Sequence, residues 1–340
     1  MTDLFEYKDN FAVWKNVDSK LVLGDKTGCA NPYVSIIIPC YKSVNFIQKA
    51  IESALYQDCD FEYEIIVVDN TEGEFSPIQG IVEQYKESKL LYYRNAQNIG
   101  MAGNWNRGIE LARAPYITYC HADDILLPNC LSYLMELHRK VGDKLILSER
   151  NEINEKDEYL RKIDYPHLHK RFKFLIQREY YYLSLYDLLF GNRWNGEACL
   201  FIKEHMIELG GFNADYMPSL DFALIVKYAD KYGAICNPNP LLNYRFSAIQ
   251  TSNSCWEEFA KKSLFYRGCI VRRIGYPYIC LRILEHTLNH YTKEHLENFW
   301  GKRNVKYVTF FDRYIMLLSS WWRSNIKPYR FIKNTDKKYN

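Results

Sequence analysis

Along the first 130 residues, short β-branched apolar runs alternate with amphipathic stretches. Residues 34–38 (VSIII) read as a buried strand closed by Pro39. Residues 44–57 (VNFIQKAIESALYQ) set Ile47, Ile51, Ala54 and Leu55 on one face at helical spacing. EIIVVDN at 64–70 is a second buried strand, followed by a weaker helical pattern at 77–87. LLYYR at 90–94 is a third strand; Asn98 and Gly100 turn the chain into a helix at 101–112, and PYITYC at 115–120 is a fourth strand. The alternation predicts an α/β fold: a mostly parallel, Rossmann-like sheet with helices on both faces.

In such a sheet, ligands bind outside the carboxyl ends of the strands. That edge collects Pro39 and Tyr41 after the first strand, Asp69 at the end of the second, and Asp123 and Asp124 after the fourth. A strand-end Asp either caps the next turn or faces a ligand, and Asp69 admits both readings. Two adjacent carboxylates repel, and they call for a cation or a hydrogen-bond network. No GxGxxG follows the first strand and no GxxxxGK[ST] occurs in the sequence, so neither glycine-rich phosphate cradle is present. A pyrophosphate bound here needs a metal ion, and Mn²⁺ or Mg²⁺ suits carboxylate oxygens shared with substrate phosphates.

The composition is that of an ordinary globular protein: 340 residues, 48% hydrophobic and 25% charged. Ten cysteines show no CxxC pair and the N-terminus is polar, so a cytoplasmic chain with reduced thiols is expected. No run of about 18 apolar residues occurs, which excludes an obvious membrane span. The net charge of +3 is uneven: residues 301–340 carry +8 and the rest −5. In 308–322, Phe311, Tyr314, Ile315, Leu318 and Trp322 share one helical face, and a basic stretch follows. Such a tail either lies on an anionic membrane at the inner face of the cell or packs on the catalytic domain. Nucleic acid is excluded as a partner by the acidic balance of the remainder.

Four strings, VSIIIPCYKSVNFIQKAIESALYQ, YEIIVVDN, NIGMAGNWNRGIELARAPYITYCHADDILLP and LGGFNADYMPSLDFAL, resemble family 2 glycosyltransferases of the GT-A fold, the type that builds bacterial surface polysaccharides. The resemblance covers 33 to about 130 and, with looser matching, 192–252. It implies a nucleotide-sugar-binding half at 31–130 and an acceptor-binding half with a catalytic base at 131–252. An N-terminal extension (1–30) and a helical, basic C-terminal extension (253–340) flank them. By the same resemblance, Pro39 and Tyr41 line the nucleotide and Asp69 reads the uracil edge of a UDP-sugar. Asn98, Gly100 and Asn106 carry the donor side. Asp123 faces the ribose and sugar, Asp124 and Asp123 hold the metal, Asp221 is the base, and Arg245 meets a phosphate. The sequence departs from the family at His121, Leu220 and Ser247, where an acid, an acid and a His are common.

Trp194, Asn195 and Glu197 precede a strand-like ACLFI and are candidate acceptor contacts, since sugars bind aromatic faces and planar polar groups. The expected activity is inverting transfer of a sugar from a nucleotide-diphosphate donor to a glycan hydroxyl, with a lipid-linked acceptor in O-antigen, capsule or lipooligosaccharide synthesis. A sugar nucleotidyltransferase is the rival enzyme, but it would want a glycine-rich basic loop where PCYKSVNF stands. An inactive nucleotide- or glycan-binding module is the rival of another class; the Asp pair together with Asp221 argues against it.

Overall fold

The computed structural model describes residues 3–161, 179–190, 196–247 and 255–275. Four strands form the parallel centre of a first sheet: β2 (Val34–Cys40), β3 (Tyr63–Asp69), β4 (Leu90–Asn95) and β5 (Tyr116–Tyr119). The sheet order is β1-β4-β3-β2-β5-β10, with β1 (Ser19–Leu23) and β10 (Phe201–Ile202) antiparallel at the two edges. The chain steps outward through α1 (Ile47–Leu55) and α2 (Pro77–Val82), then returns through α3 (Gly100–Leu111) to place β5 on the other side of β2. Loops therefore diverge at the carboxyl ends of β2 and β5, the geometry that opens a crevice.

The period-two alternation of the strands sorts the core. Ile36, Ile38, Ile65 and Val67 pack with Ile47, Ala50, Ile51 and Ala54 of α1 and with α4 (Cys130–Val141). Ile37, Ile66 and Val68 face the opposite way, against Ala102, Trp105 and Ile109 of α3 and the apolar face of α7 (Leu220–Tyr232). Gly108 lets α3 approach closely: a Cβ there would stand 2.5 Å from Ile37 Cγ2.

Strand β2 runs through Pro39 to Cys40, two residues beyond the run expected to end before Pro39. Pairing with β5 stops at Ile37, so beyond it β2 has a neighbour only in β3, and a residue without an N–H is tolerated there. Pro39, expected in the first loop, is thus a buried residue of the strand, one position before its carboxyl end at Cys40.

A second sheet has the order β6-β11-β7-β8, with β9 (Tyr181–Leu183) also on β11. Its members are β6 (Ile125–Leu126), β7 (Leu145–Ile153), β8 (Tyr159–Arg161) and the long β11 (Ala234–Arg245). Short helices α5 (Leu185–Phe190) and α6 (Lys203–Glu208) lead to α7, and α8 (Trp256–Ile274) buries Tyr266, Cys269 and Ile270 together with Leu4 of the N-terminal segment.

Candidate active site

After β5 the chain leaves the sheet in a tight turn, with Asp124 N–H donating to the His121 carbonyl at 3.2 Å. A parallel bridge between Tyr119 and Glu197 brings a distant segment alongside, held by Ala198 N–H to the Tyr119 carbonyl at 2.9 Å. Glu197 is almost wholly buried and pairs with His121 Nδ1; the imidazole also packs on Trp105, ring centroids 4.8 Å apart. Asp124 is buried too. Its Oδ1 accepts from Arg245 N–H at 2.7 Å, while no donor among the described residues bonds its Oδ2. His121, Asp124 and Glu197 each offer one ligand atom, all within 4.8 Å of one another.

Burial opposes charge on every member of this group. It would disfavour the His121 imidazolium, but the adjacent Glu197 carboxylate outweighs it and raises the His121 pKa. Burial likewise works against ionised Glu197, and the His121 charge and hydrogen bond outweigh it, holding the carboxyl down at about 2. Asp124 goes well above the usual carboxylate range, first through burial and then through the Glu197 and Asp123 charges. Asp123, partly exposed beside them, is raised chiefly by burial. Two buried carboxyls that share a hydrogen bond, Asp124 and Glu197, next to an imidazole suit a divalent cation of the Mn²⁺ or Mg²⁺ kind that would replace the shared proton.

The group that the fold brings together takes Asp124 from the expected pair, with His121 and Glu197 in place of Asp123. Glu197 is an acceptor candidate by its sequence position. The bridge to Tyr119, invisible in the local sequence, brings it to the end of β5. Trp194 and Asn195 lie outside the described residues.

Asp221 approaches from α7. Ser219 occupies the N-cap position, so Asp221 does not cap; it stands in the first turn, its Oδ1 accepting from Phe222 N–H at 2.7 Å. Burial pushes its carboxyl up to about 6, against the nearby His121 charge. It adjoins the Glu197 segment, since a Cβ on Gly196 would lie 3.8 Å from the Asp221 Cβ.

The β3 end is a hydrogen-bonded web. Asp69 is fully buried, with Oδ2 accepting from Tyr92 O–H at 2.7 Å and Oδ1 from Thr71 N–H at 2.9 Å. Asn70, Asn95 and Asn104 interlock behind it: Asn95 Nδ2 donates to Asn70 at 3.0 Å and to Asn104 at 2.8 Å. Asn98 Oδ1 accepts from Asn70 and from Gly100 N–H, and its Nδ2 donates to Glu72 at 2.8 Å. Gly100 takes φ +71° at the start of α3, a backbone shape that suits glycine. Exposed Tyr41 rims this corner, its hydroxyl 3.3 Å from Glu72.

Asn106 and Arg245, both expected on the donor side, make internal hydrogen bonds. The Asn106 amide is consumed by Phe212, donating to its carbonyl at 2.8 Å and accepting from its N–H at 2.7 Å; it pins α3 to the Gly210–Phe212 turn. Arg245 is fully buried, with Nε donating to the Asp123 carbonyl at 2.7 Å and Nη1 paired with Asp157 at 2.6 Å. It braces the acidic turn.

A Rossmann-like sheet with an acidic, cation-suited cluster at its carboxyl edge is the GT-A type of glycosyltransferase fold. The crystal structure of Staphylococcus aureus TarS residues 1–349 with UDP-GlcNAc shares it, with a TM-score of 0.57 at 13% identity over 79% of this chain and 74% of that one. Residues 35–193 match the family described as Glycosyl transferase family 2. An uncharacterised Mycobacterium tuberculosis protein is 29% identical over 56% of this chain and 60% of its own length. The putative colanic acid biosynthesis glycosyl transferase WcaA of Escherichia coli is 26% identical over 51% of this chain and 62% of its own. The chain thus spans less than two thirds of each of these two relatives.

Proposed function

We propose that the chain is a metal-dependent, inverting glycosyltransferase that moves a hexosyl or N-acetylhexosaminyl group from a UDP-sugar to a hydroxyl of a bacterial surface polysaccharide. The observation that carries this reading is the meeting of His121, Asp124 and Glu197 with Asp221 at the carboxyl edge of the sheet. The neighbour solved with UDP-GlcNAc supports the donor class, and the colanic acid relative supports the polysaccharide.

His121, Asp124 and Glu197 would hold Mn²⁺ or Mg²⁺. When bound, the ion supplies Lewis-acid stabilisation of the departing nucleoside diphosphate. Asp123 would face the ribose and sugar beside that cluster. The Asp69 carboxylate keeps lone pairs beyond those engaged by Tyr92 and Thr71, and one would accept from the uracil N–H. Tyr41 and Asn98, at the same corner, would line the nucleotide. Asp221 would take the proton of the acceptor hydroxyl as it attacks the anomeric carbon. Its carboxyl, pushed up to about 6, is ionised at neutral pH yet more basic than an ordinary Asp. The acceptor would be lipid-linked, met at the inner face of the membrane through the basic tail, which lies outside the described residues.

The reading is tested by incubating the protein with candidate donors and Mn²⁺ and measuring UDP release, which donor hydrolysis yields even without acceptor. Release that needs Mn²⁺ and is lost in Asp124→Ala supports it. Release undiminished by EDTA would remove the metal from the account.

A further inference from the structure

The turn that carries Asp123 and Asp124 is gripped by one arginine. Strand β11 pairs antiparallel with β6, Leu242 opposite Leu126 and Asn243 opposite Ile125. Two residues further on, the same register brings Arg245 opposite Asp123. Its backbone N–H takes Asp124 Oδ1 at 2.7 Å, leaving Oδ2 to the cation cluster, and its Nε takes the Asp123 carbonyl at 2.7 Å. One residue therefore fixes both the peptide between the two acids and the orientation of the second carboxylate.

Arg245 is itself held. Its guanidinium lies 4.4 Å over the Phe46 ring, and Nη1 donates to the Asn154 carbonyl at 2.8 Å and pairs with Asp157 Oδ1 at 2.6 Å. Asp157 stands in the tight turn between β7 and β8, at φ +67°. That turn is shaped by Asn154, whose Oδ1 accepts from Lys156 N–H at 2.9 Å and Glu158 N–H at 3.0 Å. The other Asp157 oxygen pairs with Lys49 of α1 at the surface. An exposed pair of that kind contributes little to stability, so the consequential end of Asp157 is the buried one.

We propose that Asp157 is a positioning residue for the divalent cation, acting through Arg245. A buried guanidinium this close to the Asp123–Asp124 turn competes for its carboxylates unless its charge is engaged elsewhere. Asp157 engages it through Nη1, so that Arg245 orients the Asp123–Asp124 turn while part of its charge is met outside the cluster. The hairpin between β7 and β8 thereby becomes part of the active-site support, although it contributes no ligand.

This inference rests on the proposed metal site, and the experiment separates the two. Mn²⁺ binding is read from the loss of free-ion electron paramagnetic resonance signal in wild type, Asp124→Ala, Asp157→Ala, Asp157→Glu and Lys49→Ala, with melting temperatures measured alongside. The expected result is wild-type binding, none in Asp124→Ala, and affinity roughly 10- to 100-fold weaker in Asp157→Ala, the scale of a lost outer-shell partner. Asp157→Glu should recover part of it, and Lys49→Ala should bind as wild type. If Asp157→Ala is too unstable to handle, Asp157→Asn is read in its place. Wild-type Mn²⁺ affinity in the Asp157 variant, with or without a lower melting temperature, overturns the positioning role and leaves the metal site standing. Absence of binding in the wild type overturns both.

Discussion

At the scale of single residues, the proposed proton transfer turns on Asp221. Its place in the first turn of α7 gives it one backbone donor, from Phe222, and a carboxyl pushed up to about 6 by burial. A base must be unprotonated, so activity should rise as pH rises through about 6 and level off above it. Asp221→Asn should lose turnover by roughly 100-fold or more, the scale of a lost general base, while UDP affinity stays near wild type. Steady-state kinetics paired with UDP titration checks this. Wild-type turnover in the variant, or a collapse of UDP binding, would take Asp221 out of the base role.

At the scale of elements, α3 and the turn before α7 are locked by Asn106 and Phe212. Gly211 fits that lock at φ +70°, where a Cβ would meet Asn106 Oδ1 at 2.5 Å. Asn106→Ala strands two buried backbone groups and should cost about 2 kcal/mol or more, since each unsatisfied group costs on the order of 1–3 kcal/mol. UDP affinity should not change. Calorimetric melting with UDP titration decides it, and weaker UDP binding at unchanged stability would return Asn106 to the donor site. The parallel half of the fold was legible because each of its elements declares itself locally, in runs such as VSIII and EIIVVD. Strand β11 was not: Pro238 and Pro240 interrupt its pattern, and the ladder absorbs them through register shifts at Asn237, Pro240 and Leu242. The site divides the same way. Asp69, Asp123 and Asp124 follow from strand ends, whereas Glu197 reaches His121 through a single non-local bridge, and Arg245 reaches Asp123 through the β6–β11 register. The resemblance marks Asn106 and Arg245 as ligand contacts, and it could not reveal the inward hydrogen bonds that Asn106 makes to Phe212 and Arg245 to Asp123.

At the scale of the whole molecule, the acidic cluster makes stability depend on pH and metal together. Burial raises the carboxyls of Asp123, Asp124 and Asp221, and Glu197 overcomes burial to raise His121, so the folded chain holds protons that the unfolded chain releases. Metal-free stability should therefore fall as pH rises above the ordinary carboxylate range and through about 6, the value for Asp221. Glu197, held down at about 2, acts in the opposite sense only at acid pH, below its ordinary value of 4.5. Because a bound cation displaces those protons, the rise in Tm on adding Mn²⁺ should be larger at pH 8 than at pH 5.5. A Mn²⁺ effect that shrinks with pH would contradict the cluster as its site. The basic end of the chain belongs to this scale too. Since α8 buries Tyr266, Cys269 and Ile270, a cut must fall well beyond it. A chain ending at residue 304 should still bind UDP and lose binding to anionic vesicles, at about 1 kcal/mol per basic residue near the surface. Undiminished vesicle binding in a co-sedimentation assay would exclude the tail as the membrane contact.

The most direct test is anomalous diffraction from crystals grown with Mn²⁺ and UDP. A single strong peak is predicted between His121, Asp124 and Glu197, in contact with the diphosphate. UDP bound with no ion there, or an ion held by other residues, would contradict the account.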